Sequence, residues 1–300
     1  MPAPASTPPA SDINADADVD NTDSTKRGTT PHKHPPFVFQ VKGCTKKQHS
    51  VGITADGVVY TWGPSSGFGQ LGRPTGKTSA SSGDDGKSIH YEHSRTPGPA
   101  VFSGTDENQV QGYRAYVGGA SDSGHTAVLD VTGNLWMTGC DRWQQLGLGS
   151  PAGGSAGYTW VGGKTHQTSF QRNEFITTLL QQHDANARIR DVALGGDHTV
   201  VLSSNQKDVF AFGKGAEGQL GLNEKRFVSA AARSSLLSAS SNNATAIASV
   251  CAMQNCSLTM DRNGKVLQTA GKCRDTQADF VKALATCRER AEKSGLLGKA

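Results

Sequence analysis

Long apolar runs are missing from this sequence, and aromatic residues are few. No stretch approaches the roughly 18 consecutive apolar residues of a membrane span, and only 35% of the residues are hydrophobic. No apolar secretory segment opens the chain, and five Asp residues precede Lys26 and Arg27, unlike an Arg-rich, acid-poor mitochondrial transit peptide. We therefore expect no membrane contact and an intracellular protein, cytoplasmic or nuclear, with a mitochondrial location left open.

The sequence also lacks a large excess of positive or negative charge, since its net charge is only +4. Residues 1–36 contain five Asp against three Lys or Arg, so the rest of the chain carries about +6. A nucleic-acid binder typically has a clustered basic surface. Nucleic acid or chromatin is therefore not the favoured partner, although the sequence leaves it open, and we expect a protein partner.

Cysteine is limited to six dispersed residues, none of them with the C-x-x-C spacing of a zinc or redox site. In an intracellular protein this pattern predicts reduced, mostly buried thiols. We expect neither a metal ion nor a cofactor.

The composition divides the chain into three parts. Residues 1–36 hold seven of the twelve prolines and too few apolar side chains to offset the entropy cost of ordering, so we expect a disordered tail. Residues 37–273 contain nearly all of the glycine, which favours turn-rich β structure. Within this part, the polar stretches 73–100 and 150–166 are predicted surface loops. Residues 274–300 change character again.

The strongest signal is a sequence that occurs four times. The copies lie at residues 49–72, 125–147, 195–221 and, more weakly, 257–267. His49, His125 and His198 are separated by 76 and 73 residues, and the Leu of each Gln-Leu-Gly close recurs after 75 and 74 residues. Two independent anchors with nearly equal offsets indicate true internal repeats.

Each copy has the pattern of a β-hairpin. A His-Ser or His-Thr start leads into alternating apolar residues, then an x-Gly turn and a second strand that ends at glycine. Tyr60 and Trp62, like Phe210 and Phe212, are two apart and so share one face of their strand. Single hairpins are marginal in water, so repeated hairpins must pack on one another, as propeller blades do.

These motifs resemble the regulator-of-chromosome-condensation repeat family over roughly residues 41–273. The resemblance implies a β-propeller in which each repeat builds most of a four-stranded blade and seven blades usually close a ring. It also implies that the repeated histidine is a blade-internal hydrogen-bonding residue. The positions expected to be structural in the repeats are His49, Gly57, Gly63, Gln70, Leu71, Gly72, His125, Gly133, Gly139, Gln145, Leu146, Gly147, His198, Gly213, Gln219, Leu220, Gly221 and Gly264.

The sequence departs from the family pattern in informative ways. Gln144 stands where a glycine precedes Gln-Leu-Gly, and the fourth copy has Asn-Cys-Ser at 255–257 instead of the histidine start and lacks the Gln-Leu-Gly close. Four recognisable repeats fall short of seven. We therefore predict an all-β fold, a partial or incomplete propeller of about four antiparallel blades, whose open edges would be covered by degenerate blades in the long spacers, by self-association or by a partner protein.

Helices are expected in only two places. Phe280, Leu284, Cys287 and Ala291 fall on one helical face, which predicts an amphipathic helix over residues 277–294 that ends at Gly295 and docks on its own propeller or on another protein. Residues 175–180 fit either a strand or a short helix.

Catalytic patterns are weak. Gly213-x-Gly215-x-x-Gly218 matches a dinucleotide-binding string, but no helix-forming run follows it, so a turn is the better interpretation. Asp197 beside His198 has no accompanying nucleophile pattern. No catalytic, cofactor-binding or metal residue is predicted, and the partner-binding residues are unknown.

Two functions remain open. The first is a non-catalytic interaction scaffold whose blades and loops bind a partner or stabilise a complex. The second, implied by the resemblance, is guanine-nucleotide exchange on a Ran-type small GTPase, with the insertions at 73–100 and 150–166 as contact loops. Fold alone does not separate the two.

Overall fold

The computed structural model describes residues 38–43, 49–63, 68–74, 95–105, 110–120, 123–149, 159–161, 164–224, 228–239, 245–273 and 277–298. The predicted disordered tail, residues 1–36, lies outside the described residues, as do 75–94 and 150–158 of the two predicted loops.

Strands of the described residues form four antiparallel sheets, which we number as blades 1 to 4 in chain order. Blade 1 contains β1 (Val38–Gly43), β2 (Ser50–Thr54), β3 (Val59–Trp62) and β4 (Gly98–Pro99). Blade 2 contains β5 (Gly112–Ala120), β6 (Ser123–Asp130), β7 (Leu135–Cys140), β8 (Thr159–Val161) and β9 (Lys164–Arg172). Blade 3 contains β10 (Ile189–Leu194), β11 (His198–Ser203), β12 (Val209–Gly213) and β13 (Val228–Arg233). Blade 4 contains β14 (Ser249–Met253), β15 (Cys256–Met260) and β16 (Val266–Gly271).

Consecutive strands are hydrogen-bonded neighbours, except that β9 pairs with β7 and β8 adds to the outer edge of β9. Hairpin turns join the second and third strands, and Gly57, Gly133 and Gly264 occupy them with φ of +86°, +88° and +72°. Only glycine adopts this left-handed backbone at little cost. The first strands of successive blades contact one another, which orders the blades side by side.

Three apolar cores lie between the blades. Val51, Ile53 and Val59 of blade 1 pack on the Trp136 and Phe170 side of blade 2. The face of blade 2 that is turned away from blade 1 packs on blade 3, and the face of blade 3 that is turned away from blade 2 packs on blade 4. We call the face of a blade toward the preceding blade its rear face, and the face toward the following blade its forward face. The predicted all-β fold with about four antiparallel blades is confirmed.

Two helices complete the described structure. Helix α1 (Glu174–His183) settles the segment that periodicity left open: the Asn173 side chain accepts a hydrogen bond from the Ile176 N–H (3.0 Å) and caps the helix. Helix α2 (Gln277–Lys293) matches the amphipathic helix predicted over 277–294, and Gly295 follows it at φ +66°. Within the described ranges, no helix combines the length and the apolarity needed to cross a bilayer.

Candidate interaction site

The repeated histidines link neighbouring blades. His49 Nε2 lies 2.6 Å from the Thr126 hydroxyl of blade 2. Because Thr126 donates its only hydroxyl proton to the carbonyl of Gln70 (2.6 Å), His49 Nε2 must be the donor. His198 Nε2 lies 2.8 Å from the Ser257 hydroxyl of blade 4. The family resemblance implied hydrogen bonds within a blade; these two instead join blade 1 to blade 2 and blade 3 to blade 4.

Burial keeps these histidines uncharged. Burial lowers the pKa of His49 to about 4 and the pKa of His198 to about 3. His125 holds the equivalent place in blade 2, and burial, helped by the two neighbouring histidines, lowers its pKa to about 3. At neutral pH all three therefore carry no charge, and His49 and His198 serve as hydrogen-bonding groups, whereas neither ring nitrogen of His125 has a hydrogen-bond partner in the described part of the chain. Among the described residues, no cluster of His, Cys, Asp or Glu could hold a metal ion.

Each Gln-Leu-Gly segment ends in a position that receives the next blade. These positions, which we call the glycine seats, are Gly72, Gly147 and Gly221. A Cβ atom built on the first seat would lie 2.4 Å from the ring of Phe170 in blade 2, and one on the second seat 2.6 Å from the ring of Phe212 in blade 3. On the third seat it would lie 2.4 Å from Ser234 Oγ and 3.1 Å from the Leu237 side chain, both of the third repeat, and 3.3 Å from the Cβ of Ala270 in blade 4. Glycine is thus needed for the close approach of successive blades.

The other predicted repeat residues lie at turns or inside the blades. Gly63 directly follows β3, and Gly139 and Gly213 lie at the ends of β7 and β12, with φ of +116°, +109° and +101°. The Gln and Leu of every Gln-Leu-Gly segment are buried, namely Gln70, Leu71, Gln145, Leu146, Gln219 and Leu220. Gln144, the departure from glycine, adopts φ +61°, which side chains other than glycine rarely do.

Residues that suggested acid–base or nucleotide chemistry take part in contacts between blades. Asp197 accepts a hydrogen bond from the Ser123 hydroxyl of blade 2 (2.7 Å) and lies 3.9 Å from the Lys214 ammonium. The Gly213–Gly218 segment is a turn, and the next described element is strand β13. In this structure His198 contacts Ser257 and is not paired with Asp197 as a base with its orienting carboxylate.

Helix α2 covers the forward face of blade 4. Cys287, Ala291, Leu296 and Leu297, from α2 and the residues after it, pack with apolar side chains of β14 and β15. A closed array would place another blade here. Docking of this helix on its own propeller, one of the two alternatives left by the sequence, is what the structure shows.

Arg290 anchors this helix between blades 3 and 4. Its guanidinium makes two hydrogen bonds to the carboxylate of buried Asp191 (3.1 and 2.9 Å) and another to the Val192 carbonyl (2.9 Å). Asp191 also accepts hydrogen bonds from the Ser249 hydroxyl (2.8 Å) and the Val250 N–H (3.1 Å). Burial alone would lower the pKa of Arg290, but the charge of Asp191 and its hydrogen bonds outweigh burial and raise the pKa, so the guanidinium stays charged.

Two disulfides reinforce the same end of the array. Cys251 on β14 pairs with Cys287 on α2, and Cys256 pairs with Cys273. The expectation of reduced thiols is therefore wrong for four of the six cysteines. Sequence spacing did not reveal the pairs because folding brings together residues 36 and 17 positions apart. Cys140 is a buried free thiol whose pKa burial raises to about 11, and Cys44 lies outside the described residues.

Cys256 also occupies the place of the repeated histidine. It pairs with Gly271 across β15 and β16 just as His198 pairs with Gly213 across β11 and β12. His49 and His198 each hydrogen-bond to a hydroxyl of the blade that follows, and blade 4 is followed by α2. The fourth repeat is thus adapted to a helix neighbour, as terminal repeats of arrays commonly are.

The rear face of blade 1 differs from the forward face of blade 4, because no described blade or helix packs on it. Tyr60 pairs with Gly52 and Trp62 with Ser50, so these four residues share the face turned away from blade 2. By strand register Tyr60 corresponds to Trp136 and Phe210, which are 4% and 0% exposed within cores between blades. Tyr60 and Trp62 are only partly buried, and they belong to none of the four cores of the described residues.

Sequence reasoning missed Asp191, Arg290 and Phe170. A signal for Arg290 was available: it lies beside the apolar stripe of α2, between Cys287 and Ala291, where a charged side chain indicates a buried partner. Phe170 lies in a stretch without the repeat pattern, and no motif marked it.

The chain is similar to proteins that contain the same repeat. The family model of the Regulator of chromosome condensation (RCC1) repeat matches residues 189–219. Protein RCC2 homolog of Danio rerio is 28% identical over 195 residues, covering 60% of this chain and 32% of the relative. Protein RCC2 of Homo sapiens is 26% identical over 203 residues, covering 62% and 31%. The chain therefore spans about a third of the length of the curated relatives it matches.

Solved structures agree on the fold. Yeast RCC1 (Prp20), in a crystal structure with Kap60, superposes with a TM-score of 0.52 at 19% identity, covering 79% of this chain and 44% of that one. Prp20p from Saccharomyces cerevisiae, studied with its binding to Gsp1p and histones, gives 0.50 at 16% identity, covering 83% and 47%. The repeat model and the relatives show that this chain contains RCC1-type repeats, and the solved structure shares its blade fold.

Proposed function

We propose that the chain is a non-catalytic protein-interaction scaffold that binds a protein partner through the rear face of blade 1, assisted by the loops between repeats. The observation that carries the proposal is the incomplete burial of Tyr60 and Trp62, whose counterparts in blades 2 and 3 are buried by a neighbouring blade. Aromatic side chains on a face that no described blade covers are of the kind that most often dominates binding energy.

The polar chemistry of the blades supports a role without catalysis. Asp197 and His198, the acidic and basic side chains closest to a catalytic pattern, both hydrogen-bond across blade boundaries. Both of these solved structures are of yeast Prp20, which binds proteins: it is bound to Kap60 in one, and the other describes its binding to Gsp1p and histones.

Nucleotide exchange on a small GTPase is the second candidate. It is favoured by the likeness to Prp20p, for which binding to Gsp1p is described. Exchange requires that the partner bind most tightly without nucleotide, whereas a scaffold has no such requirement.

The test is affinity purification of the tagged full chain, with and without added guanine nucleotide, followed by mass spectrometry. The variant Tyr60→Ser with Trp62→Ser should lose the partner at an unchanged melting temperature. Phe175→Ser is the matched control, because this residue on α1 is 50% exposed and lies outside blade 1. A GTPase recovered only without nucleotide would favour exchange. Partner retention by the double variant would contradict the proposal.

The proposal also places the protein inside the cell, in the cytoplasm or the nucleus. Disulfides are rare in those compartments. The structure pairs Cys251 with Cys287 and Cys256 with Cys273, whereas a reducing compartment would keep these four thiols unpaired. Rapid alkylation of the native protein in its cells, followed by mass spectrometry, should find all four modified if the protein lies in the cytoplasm or the nucleus. Persistent disulfides would instead indicate an oxidising compartment.

A further inference from the structure

The partner's shape can be deduced from how the blades of this chain fit together. Phe212 on blade 3 corresponds to Trp62 on blade 1, since each pairs across the hairpin with the residue that follows the repeated histidine. The ring of Phe212 rests on Gly147, the glycine seat of blade 2. A blade with an aromatic residue at this place therefore packs on a Gln-Leu-Gly close of the blade before it.

All three glycine seats of this sequence already have occupants. Phe170 covers Gly72, Phe212 covers Gly147, and Leu237 and Ala270 of blades 3 and 4 cover Gly221. The sequence contains no further Gln-Leu-Gly segment. Trp62 thus has the geometry to occupy a seat that this chain does not supply.

The far end of a second copy cannot supply the seat either. Blade 4 ends at Gly271 with Lys272 and Cys273 in place of a Gln-Leu-Gly close, and Cys273 is tied to Cys256. Its forward face is filled by α2, held by the Cys251–Cys287 disulfide and the Arg290–Asp191 pair. Head-to-tail stacking of copies would require removing this helix.

We infer that the rear face of blade 1 binds the forward face of a propeller-repeat blade belonging to another polypeptide, one whose Gln-Leu-Gly close is unoccupied. The inference rests on the proposed scaffold function and names the partner's class. The seat glycine of the partner receives the Trp62 ring, while Tyr60 packs against the apolar side of the same blade, as Phe210 packs on blade 2.

The test replaces Trp62 with the photo-crosslinker p-benzoylphenylalanine in the full chain, expressed in its native cells. After irradiation, mass spectrometry identifies the peptide joined to position 62. The expected product joins it to a Gln-Leu-Gly segment of a different repeat protein. The same probe at Trp136, which packs against Phe102 within the chain (ring centroids 5.3 Å apart), shows that the chemistry works, and the probe at exposed Phe175 is the negative control.

The outcomes separate this inference from the scaffold proposal. A cross-link to a protein without such repeats overturns the inference and leaves the scaffold standing. A cross-link between two copies of this chain indicates a symmetric dimer and also overturns it. A cross-link within one polypeptide, or none while Trp136 reacts, overturns both. In the supporting case, Trp62→Arg should lower recovery of the repeat partner at least tenfold, Trp62→Phe should largely preserve it, and Phe175→Arg should leave it unchanged.

Discussion

The two ends of the blade array are built differently. At the C-terminal end, a helix, an ion pair and two disulfides cover the forward face of blade 4. At the N-terminal end, the rear face of blade 1 holds Tyr60 and Trp62 outside the cores of the described residues. A propeller blade has two faces to bury, so an array needs a cover at each end. One end has its cover within the chain, and the other is suited to an outside partner.

The largest expected effect comes from removing the C-terminal cover. Deleting residues 274–300 exposes Leu258 and Met260, which are 0% exposed, and breaks the Cys251–Cys287 link. We expect aggregation or self-association on size-exclusion chromatography, because unpaired apolar faces and strand edges recruit other chains. Val281→Ser, on the exposed side of α2, is the control. A truncated chain that stays monomeric and equally stable would show that blade 4 needs no cover.

The Arg290–Asp191 ion pair should contribute much of the free energy that holds α2 on the blades. Arg290→Met leaves buried Asp191 without its partner and should reduce the free energy of unfolding by about 3–5 kcal/mol in denaturant titrations. Lys293→Met is the matched control, because Lys293 pairs with Glu289 on the exposed side of the same helix and should cost under about 1 kcal/mol. Equal effects of the two substitutions would mean that Arg290 does not hold the helix.

The helix disulfide should rank next. Cys251→Ser with Cys287→Ser removes a link across 36 residues, and we expect a loss of about 2–4 kcal/mol. Unfolding of the oxidised wild-type protein should shift to lower denaturant on adding a reductant. The double variant should shift less, because only Cys256–Cys273 remains to be reduced. No reductant effect on the wild-type protein would argue against both pairs.

A histidine between the blades should contribute less than the cover. His198→Ala leaves the Ser257 hydroxyl without this partner and should cost about 1–3 kcal/mol. Partner binding should survive at temperatures where the variant is folded, since His198 lies far along the array from blade 1. Lost binding at an unchanged melting temperature would assign it a functional role.

The smallest expected effect is on how the stability of the protein depends on pH. The folded pKa of His198 is about 3, below the unfolded value of about 6.5, so its contribution is complete above pH 6.5 and falls as the pH drops below that value. Each such histidine should lower stability by about 1 kcal/mol per pH unit between 6 and 4.5. Melting curves of wild type and His198→Gln should therefore converge as the pH falls. Parallel curves would contradict the burial of this histidine as a neutral group.

Much of the interior was predictable because it follows local rules. Hairpin glycines, alternating apolar residues and equal repeat offsets identified the strands around His125 and His198 and the number of blades. The expected docking helix was located from the spacing of Phe280, Leu284, Cys287 and Ala291. The first strand of each blade was harder, since segments such as Gly112–Ala120 carry no repeat motif and are recognised as strands by what they pair with.

The sequence by itself determined the repeat, the blade fold and the helix, because periodicity and turn chemistry are written in neighbouring residues. Only the tertiary structure decided that the histidines bond across blades, that Cys251 meets Cys287, and that Asp191 meets Arg290 from 99 positions away. Likewise, nothing local distinguishes Tyr60 from Trp136 and Phe210. Their burial differs because a blade packs on the rear faces of blades 2 and 3, whereas no described blade packs on the rear face of blade 1.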